Sequence, residues 1–235
     1  SDNYNHIPKG YNIPSDATYL HLTSNNTIYG TQYRSFPKAD VPVVVDMSSD
    51  IFSRKLDAAQ FDLIYAGAQK NMGPAGTTLV IVKRSWLEKT ADRAIPSMMS
   101  YKVHDSKDSM FNTPPVFAVY VSLLTMQWVA EQGGVEAVEK VNRKKADMLY
   151  EVIDNSSIYK GHAAKEDRSL MNVTFTIDDP ELEKAFLETC EGNQIVGIKG
   201  HRSVGGFRAS IYNAIPEESV ATLAQLMTDF EKVKA

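Results

Sequence analysis

Three consecutive valines that run into an aspartate, Val43-Val44-Val45-Asp46, constrain the fold more than any other stretch of this chain. The run lacks polar alternation, so it fits a strand covered on both faces, as strands of a parallel sheet are. FDLIYAGAQK reads as a second short strand ending near Gly67, and TTLVIVKR (77–84) as a third. Three buried strands with short links form the middle of a larger sheet, which sets an α/β class. TYLHL (18–22) reads as a further strand that runs into the polar stretch Thr23–Thr27, ahead of Ile28-Tyr29-Gly30. A chain that opens one strand before a polar loop is expected to lack earlier elements of its fold.

From Val116 to Gln132 the sequence is apolar nearly all round, which predicts a buried helix stopped by Gly133-Gly134. Residues 135–154 place Val138, Val141, Ala146, Leu149 and Val152 at helical spacing among charges, the pattern of an amphipathic helix that bridges two domains. Beyond it LMNVTFTI alternates as a strand, PELEKAFLETC reads as a helix, GGFRASIYN as a strand and EESVATLAQLMTDFEKVKA as a closing amphipathic helix. That order predicts a small α+β domain over 134–235, following a larger domain over 1–133.

With 43% hydrophobic residues in 235, the chain can bury a sizeable core. A net charge of -4, from 25 basic and 29 acidic residues, gives no electrostatic reason to expect nucleic acid or an anionic membrane as partner. No apolar stretch approaches the roughly 18–20 residues needed to span a bilayer. Cys190 stands alone, which excludes an intramolecular disulfide and a cysteine-based zinc cluster and fits a reducing compartment, the cytoplasm.

Ligands of open α/β sheets sit beyond the carboxyl ends of the strands, so the polar residues ending the buried runs are the ones to inspect: Asp46 and Lys70. A carboxylate can keep a pyridine nitrogen protonated, and a lysine can join an aldehyde as a Schiff base; these are the two protein groups pyridoxal phosphate most needs. Taken singly, an aspartate after a strand is ordinarily a turn residue and a lysine a solvated charge. Asp46 and Asp50 could also pair on a hard cation, but no third ligand follows at a useful spacing. Small residues and Gly67, Gly73, Pro74 and Gly76 make AGAQKNMGPAG a tight turn that a flat cofactor can approach. Near the C-terminus, GHRSVGGFRASIYNA sets His201, Arg202 and Arg208 around Gly205-Gly206, so two guanidinium groups flank a compact turn suited to a doubly anionic substrate. Along the strand Arg208, Ser210 and Tyr212 share one face, and Phe207, Ala209 and Ile211 the other.

These segments resemble the phosphoserine aminotransferase family. AGAQKNMGPAG is nearly identical to the family's cofactor-lysine segment, VVVDMSSD is similar to its pyridine-binding segment, and KGHRSVGGFRASIYNA is similar to a long C-terminal signature. NNTIYGTQ resembles a cofactor loop, with Asn26 where many members have Glu, and MFNTPP resembles a segment that reaches the cofactor phosphate of a neighbouring subunit. The resemblance implies a fold-type-I α/β aminotransferase: part of a large domain with a central mixed sheet, plus the small α+β domain. It assigns Lys70 to catalysis, Thr27, Asp46, Gln69, Asn112 and Thr113 to cofactor contacts, and a homodimer to the assembly. Arg208 would take the α-carboxylate. His201 and Arg202 would take the phosphate of phosphoserine or the distal carboxylate of glutamate and 2-oxoglutarate.

The reaction implied is ping-pong transamination of phosphoserine and 2-oxoglutarate to 3-phosphohydroxypyruvate and glutamate, a step of serine biosynthesis; some members also serve pyridoxine synthesis. Full-length members carry earlier elements with a stacking aromatic, a phosphate-binding glycine turn and a substrate arginine. Trp86 and Trp128 do not match that aromatic by position. A fragment, inactive alone or serving as a scaffold, is the alternative expectation, and another fold-type-I enzyme is a poorer match because a histidine usually precedes the lysine there.

Overall fold

The computed structural model describes residues 3–90 and 94–234. The first half builds six strands, β1 (Leu20–Thr23), β2 (Asn25–Asn26), β3 (Thr31–Gln32), β4 (Val43–Asp46), β5 (Leu63–Gly67) and β6 (Thr78–Val82). Four of them form one sheet in the order β1-β4-β5-β6. β1 and β5 both pair parallel with β4, so all three strands point their carboxyl ends the same way. The valine run is buried as its pattern requires, and Val43, Val45, Ile64 and Ala66 pack with Phe61, Met47, Ile51 and Met72 into a first core. β6 departs from the expectation of a third buried strand. It pairs antiparallel with β5 at the edge of this sheet, and Ile81 is 40% exposed because no described strand pairs with its outer side.

Two short helices, α1 (Arg84–Glu88) and α2 (Tyr101–Asp105), lead to α3 (Val116–Glu131) and α4 (Gly134–Asn155). The break between the last two is made by Gly133 and Gly134, both with positive φ. α3 exists as the sequence predicts, but it is not the buried helix expected. Only Ala118 and Val129 are buried, whereas Val116 and Phe117 are 66% and 75% exposed, because one side meets the first core through Met126 and α4, and no described layer covers the other. α4 is amphipathic as predicted, with a rotated stripe. Val141 faces out, and the buried line is Val138, Asn142, Lys145, Leu149 and Ile153, at helical spacing.

The second half comprises β7 (Tyr159–Gly161), a strand the pattern did not reveal, then β8 (Asn172–Ile177), α5 (Pro180–Gly192), β9 (Phe207–Ser210) and α6 (Glu217–Lys234). Its antiparallel sheet runs β7-β8-β9. α5 starts where Pro180 follows Asp179, whose carboxylate accepts the N–H groups of Glu181 and Leu182. Phe186 on this helix is fully buried against Tyr159, Phe175, Phe207 and Phe230, the centre of a second core. Burying one such ring stabilises by about 2–3 kcal/mol.

β8 was expected to alternate, with one wet face, yet five of its six residues are buried. The loop around β2 and β3 covers the second face: Asn25 Nδ2 donates to Asn172 Oδ1 at 2.8 Å, and Thr174 Oγ1 donates to the Tyr29 carbonyl at 3.0 Å. Among the described residues no helix is long and apolar enough to cross a membrane.

Lys145 is wholly buried in α4. Its ammonium donates to the carbonyls of Ile211 (3.1 Å), Tyr212 (2.9 Å) and Ile215 (3.1 Å), so the three protons of one amine close the segment after β9. Burial brings the amine down to about 8, with Glu217 opposing, so it remains charged at neutrality. Lys145→Met keeps the apolar stem and orphans three carbonyls; we expect a loss of about 3 kcal/mol in urea unfolding at pH 7. A loss below about 1 kcal/mol would mean that water replaces the amine.

Candidate active site

Parallel pairing sets the ends of β4 and β5 side by side: Asp46 lies opposite Tyr65, just before β5 ends at Gly67. The Asp46 carboxylate accepts the Ser48 N–H at 2.8 Å and turns the chain tightly after the strand. Tyr65 shares a hydrogen bond with His21 Nε2 at 3.0 Å, and its hydroxyl is held above the usual tyrosine range by burial first and then by Asp46.

After Gly67 the chain closes on one carbonyl. Ala68 O accepts the N–H groups of Lys70 (2.7 Å), Met72 (3.2 Å) and Gly73 (2.9 Å), and Lys70 stands half-buried on this turn. A Cβ at Gly67 would lie 2.5 Å from Oε1 of Gln69, whose exposed, flexible side chain folds back over it and would have to swing aside. The Gly67 N–H donates to Ser48 Oγ at 3.0 Å, tying this turn to the one after Asp46. Burial holds the Lys70 amine below the ordinary lysine value of 10.5; Arg208 pushes the same way, while Asp46 and Asp50 oppose both.

Arg208 comes from the second half of the chain. Phe207 and Ala209 point into the second core, leaving Arg208 and Ser210 half-buried on the opposite face, as the alternation of this strand predicts. Its Nη1 donates to the Thr27 carbonyl at 3.1 Å, and its buried Nε–H has no acceptor among the described residues. Thr27 is tied to Arg208, and Lys70 is electrostatically coupled to Asp46 and Arg208, so these four gather beyond the carboxyl ends of β4 and β5, with Gln69 exposed beside Lys70. The arrangement combines a carboxylate, an amine inclined to lose its proton, and a guanidinium with an unused N–H.

The other four residues lie elsewhere. Asn112 and Thr113 are exposed on the segment leading into α3, where Asn112 Nδ2 donates to the Thr113 carbonyl at 3.0 Å. His201 and Arg202 occupy the tip of a loop closed by the Gly200 N–H on the Gly206 carbonyl at 2.8 Å; His201 Nδ1 and Ser203 Oγ share a hydrogen bond at 2.7 Å, and Arg202 is exposed. No hydrogen bond among the described residues joins these four to the cluster.

The profile of the family described as aminotransferase class-V matches residues 10–223. The chain belongs to that family. This class-V aminotransferase chain is 60% identical over 230 residues to the phosphoserine aminotransferase of Flavobacterium johnsoniae, covering 98% of the chain and 64% of that relative. Against the phosphoserine aminotransferase of Bacillus subtilis the identity is 51% over 234 residues, with 99% and 65% covered. The solved phosphoserine aminotransferase of Bacillus circulans subsp. alkalophilus superimposes with a TM-score of 0.96 at 46% identity, over 100% of this chain and 66% of that one. A pyridoxal-phosphate-bound phosphoserine aminotransferase from Trichomonas vaginalis gives 0.92 at 35% identity, over 97% and 65%. The class-V chain thus spans about 64% of the length of the first of these curated relatives, and its fold is the fold-type-I α/β arrangement. Dependence on pyridoxal phosphate is a general property of the class-V family.

In the sequence Asp50 stands out only as a possible partner of Asp46 on a metal. In the class-V chain Asp50 is buried; it accepts from the Ser24 hydroxyl and from Gln32 Nε2 (3.0 Å), with Arg54 Nη2 at 3.6 Å. Burial pushes its carboxyl up, and Ser24, Gln32 and Arg54 pull it back. Arg54, one helical turn downstream, was the available signal; Ser24 and Gln32 carried none, because their contacts are made across the fold.

These charges define the pH response of Lys70. Its labelling by an acylating reagent, mapped by mass spectrometry, should become half-maximal below pH 10.5. Asp46→Asn should lower that midpoint further, since a charge favouring the ammonium is removed, and Arg208→Gln should raise it. Midpoints that do not move would separate these groups from Lys70.

Proposed function

We propose that the chain carries the amine and carboxylate-binding half of a phosphoserine:2-oxoglutarate aminotransferase of serine biosynthesis, a cytoplasmic enzyme, with the two cores as domains dividing at residues 133 and 134. The observation that carries the reading is the buried, unpartnered Nε–H of Arg208, electrostatically coupled to a half-buried lysine that also faces Asp46. A buried donor without an acceptor costs about 1–3 kcal/mol, so such a site is built for an anion. Pyridoxal phosphate fits the donor set: Lys70 would be its attachment point, and Asp46, Thr27 and Gln69 would help to hold it.

When bound, that group supplies the electron sink that transamination requires. The chain supplies the rest. Lys70, whose amine burial holds below the ordinary lysine value, would serve as the attachment point, and the same Nζ would take the substrate α-proton and return it. The Asp46 carboxylate would accept a hydrogen bond from the pyridine nitrogen and so keep that nitrogen protonated. Arg208 fixes the α-carboxylate in its planar fork, which orients the Cα–H bond toward Lys70. His201 and Arg202 receive the phosphate or the distal carboxylate in turn. Asn112 and Thr113 reach the neighbouring subunit of a homodimer, a reading supported by the apolar, exposed side of α3 that adjoins them, a patch of the kind that marks contact surfaces.

The test is borohydride reduction after titration with pyridoxal phosphate. Saturable label on Lys70, abolished in Lys70→Ala, is expected; scattered labelling of surface lysines would leave the chain a scaffold. In turnover assays of a full-length enzyme Arg208→Gln should raise KM for both glutamate and phosphoserine about 100-fold. An unchanged KM would remove Arg208 from the substrate site.

A further inference from the structure

Three asparagines from distant parts of the chain, Asn71 after β5, Asn142 in α4 and Asn213 after β9, converge on one short turn. Asn71 Nδ2 donates to the Ile51 carbonyl at 3.1 Å, Asn213 Nδ2 to the Phe52 carbonyl at 3.0 Å, and Asn142 Nδ2 to the Ser53 carbonyl at 3.1 Å. The turn itself follows Asp46 and is held by Phe52 at φ +56°, a left-handed conformation that non-glycine residues seldom adopt. The asparagines are also joined to one another. Asn142 Nδ2 donates to Asn213 Oδ1 at 2.8 Å, and the Asn213 N–H donates to Asn71 Oδ1 at 3.0 Å. All three are buried, with relative exposures of 3%, 0% and 6% for Asn71, Asn142 and Asn213.

Buried amides are costly to desolvate and no better than apolar packing for stability alone, and Asn142 Oδ1 has no partner among the described residues. What they add is direction. Asn71 directly follows Lys70, and Asn213 closes the segment that begins with the β9 residues around Arg208. The bond between them thus links the two segments that bear the amine and the guanidinium. Lys145 clamps the carbonyls on either side of Asn213, so little slack remains in that segment.

We propose that Asn71 and Asn213 are positioning residues, which fix the separation of Lys70 and Arg208 by anchoring both segments to the turn at residues 51–53. The assignment rests on the reading of Lys70 and Arg208 given above. Neither asparagine touches substrate; each acts through the residue it holds.

The test uses Asn71→Ala and the milder Asn71→Ser, read three ways: calorimetric affinity for glutarate as an unreactive dicarboxylate on the pyridoxal-phosphate-treated protein, borohydride labelling of Lys70, and hydrogen exchange at the Asn213 amide. Glutarate affinity should fall about tenfold while Lys70 still takes label and the Asn213 amide exchanges faster. Affinity within about twofold of the unsubstituted protein, with only a lower melting temperature, would reduce the asparagines to stabilising groups and overturn the proposal. If the unsubstituted protein leaves Lys70 unlabelled, or if Arg208→Gln leaves glutarate affinity unchanged, the reading of the site fails first and takes this one with it.

Discussion

Because β4 and β5 run parallel, both deliver their carboxyl ends to the same side of the sheet, and neither Asp46 nor Lys70 could reach the other from an antiparallel hairpin of these lengths. Val43, Val44 and Val45, and Leu63, Ile64 and Ala66, are buried and apolar, and Tyr65 alone within these runs keeps a polar tip, which reaches His21. Reactive groups are therefore confined to the positions where the strands stop. The two tight turns there, linked by Ser48 and the Gly67 N–H, convert a hydrophobic requirement into a fixed chemical address.

The second half of the chain meets that address through a set of polar contacts. Asn25 bonds to Asn172, the Tyr29 carbonyl to Thr174, the Thr27 carbonyl to Arg208, and Asn71 to Asn213. Such contacts are directional, so they fix how the halves sit in a way that the two separate cores do not. Asp50 plays the same part within the first half. Its buried carboxyl is held by Ser24, Gln32 and Arg54, and those residues come from the loop after β1, from β3 and from its own turn.

Strand ends, the helix break at Gly133-Gly134 and the alternation of β9 were all readable from the sequence, since each depends on neighbours a few residues away. Burial was not. An apolar helix such as α3 looks the same whether or not a second layer covers it, and Thr174 gives no sign that Tyr29 will lie over it. On α4 the buried stripe lies one position from the apolar pattern, because Asn142 and Lys145 are polar yet sit inside, where distant carbonyls satisfy them. Of the site, Asp46, Lys70 and Arg208 stood out by residue type and motif. Thr27 meets Arg208 through its main-chain oxygen, which any residue would offer, and Asn71 and Asn213 exert their hold only once the chain has folded.

Cys190 lies on the face of α5 that is wholly shut into the aromatic core around Phe186. Burial, with a smaller push from Glu191, raises its thiol to about 11, so the reactive thiolate is scarce as well as inaccessible. The chain's lone sulfhydryl is thus a built-in witness to a single event: it meets solvent when the second core opens, and stays silent through any rearrangement confined to the sheet that bears Lys70.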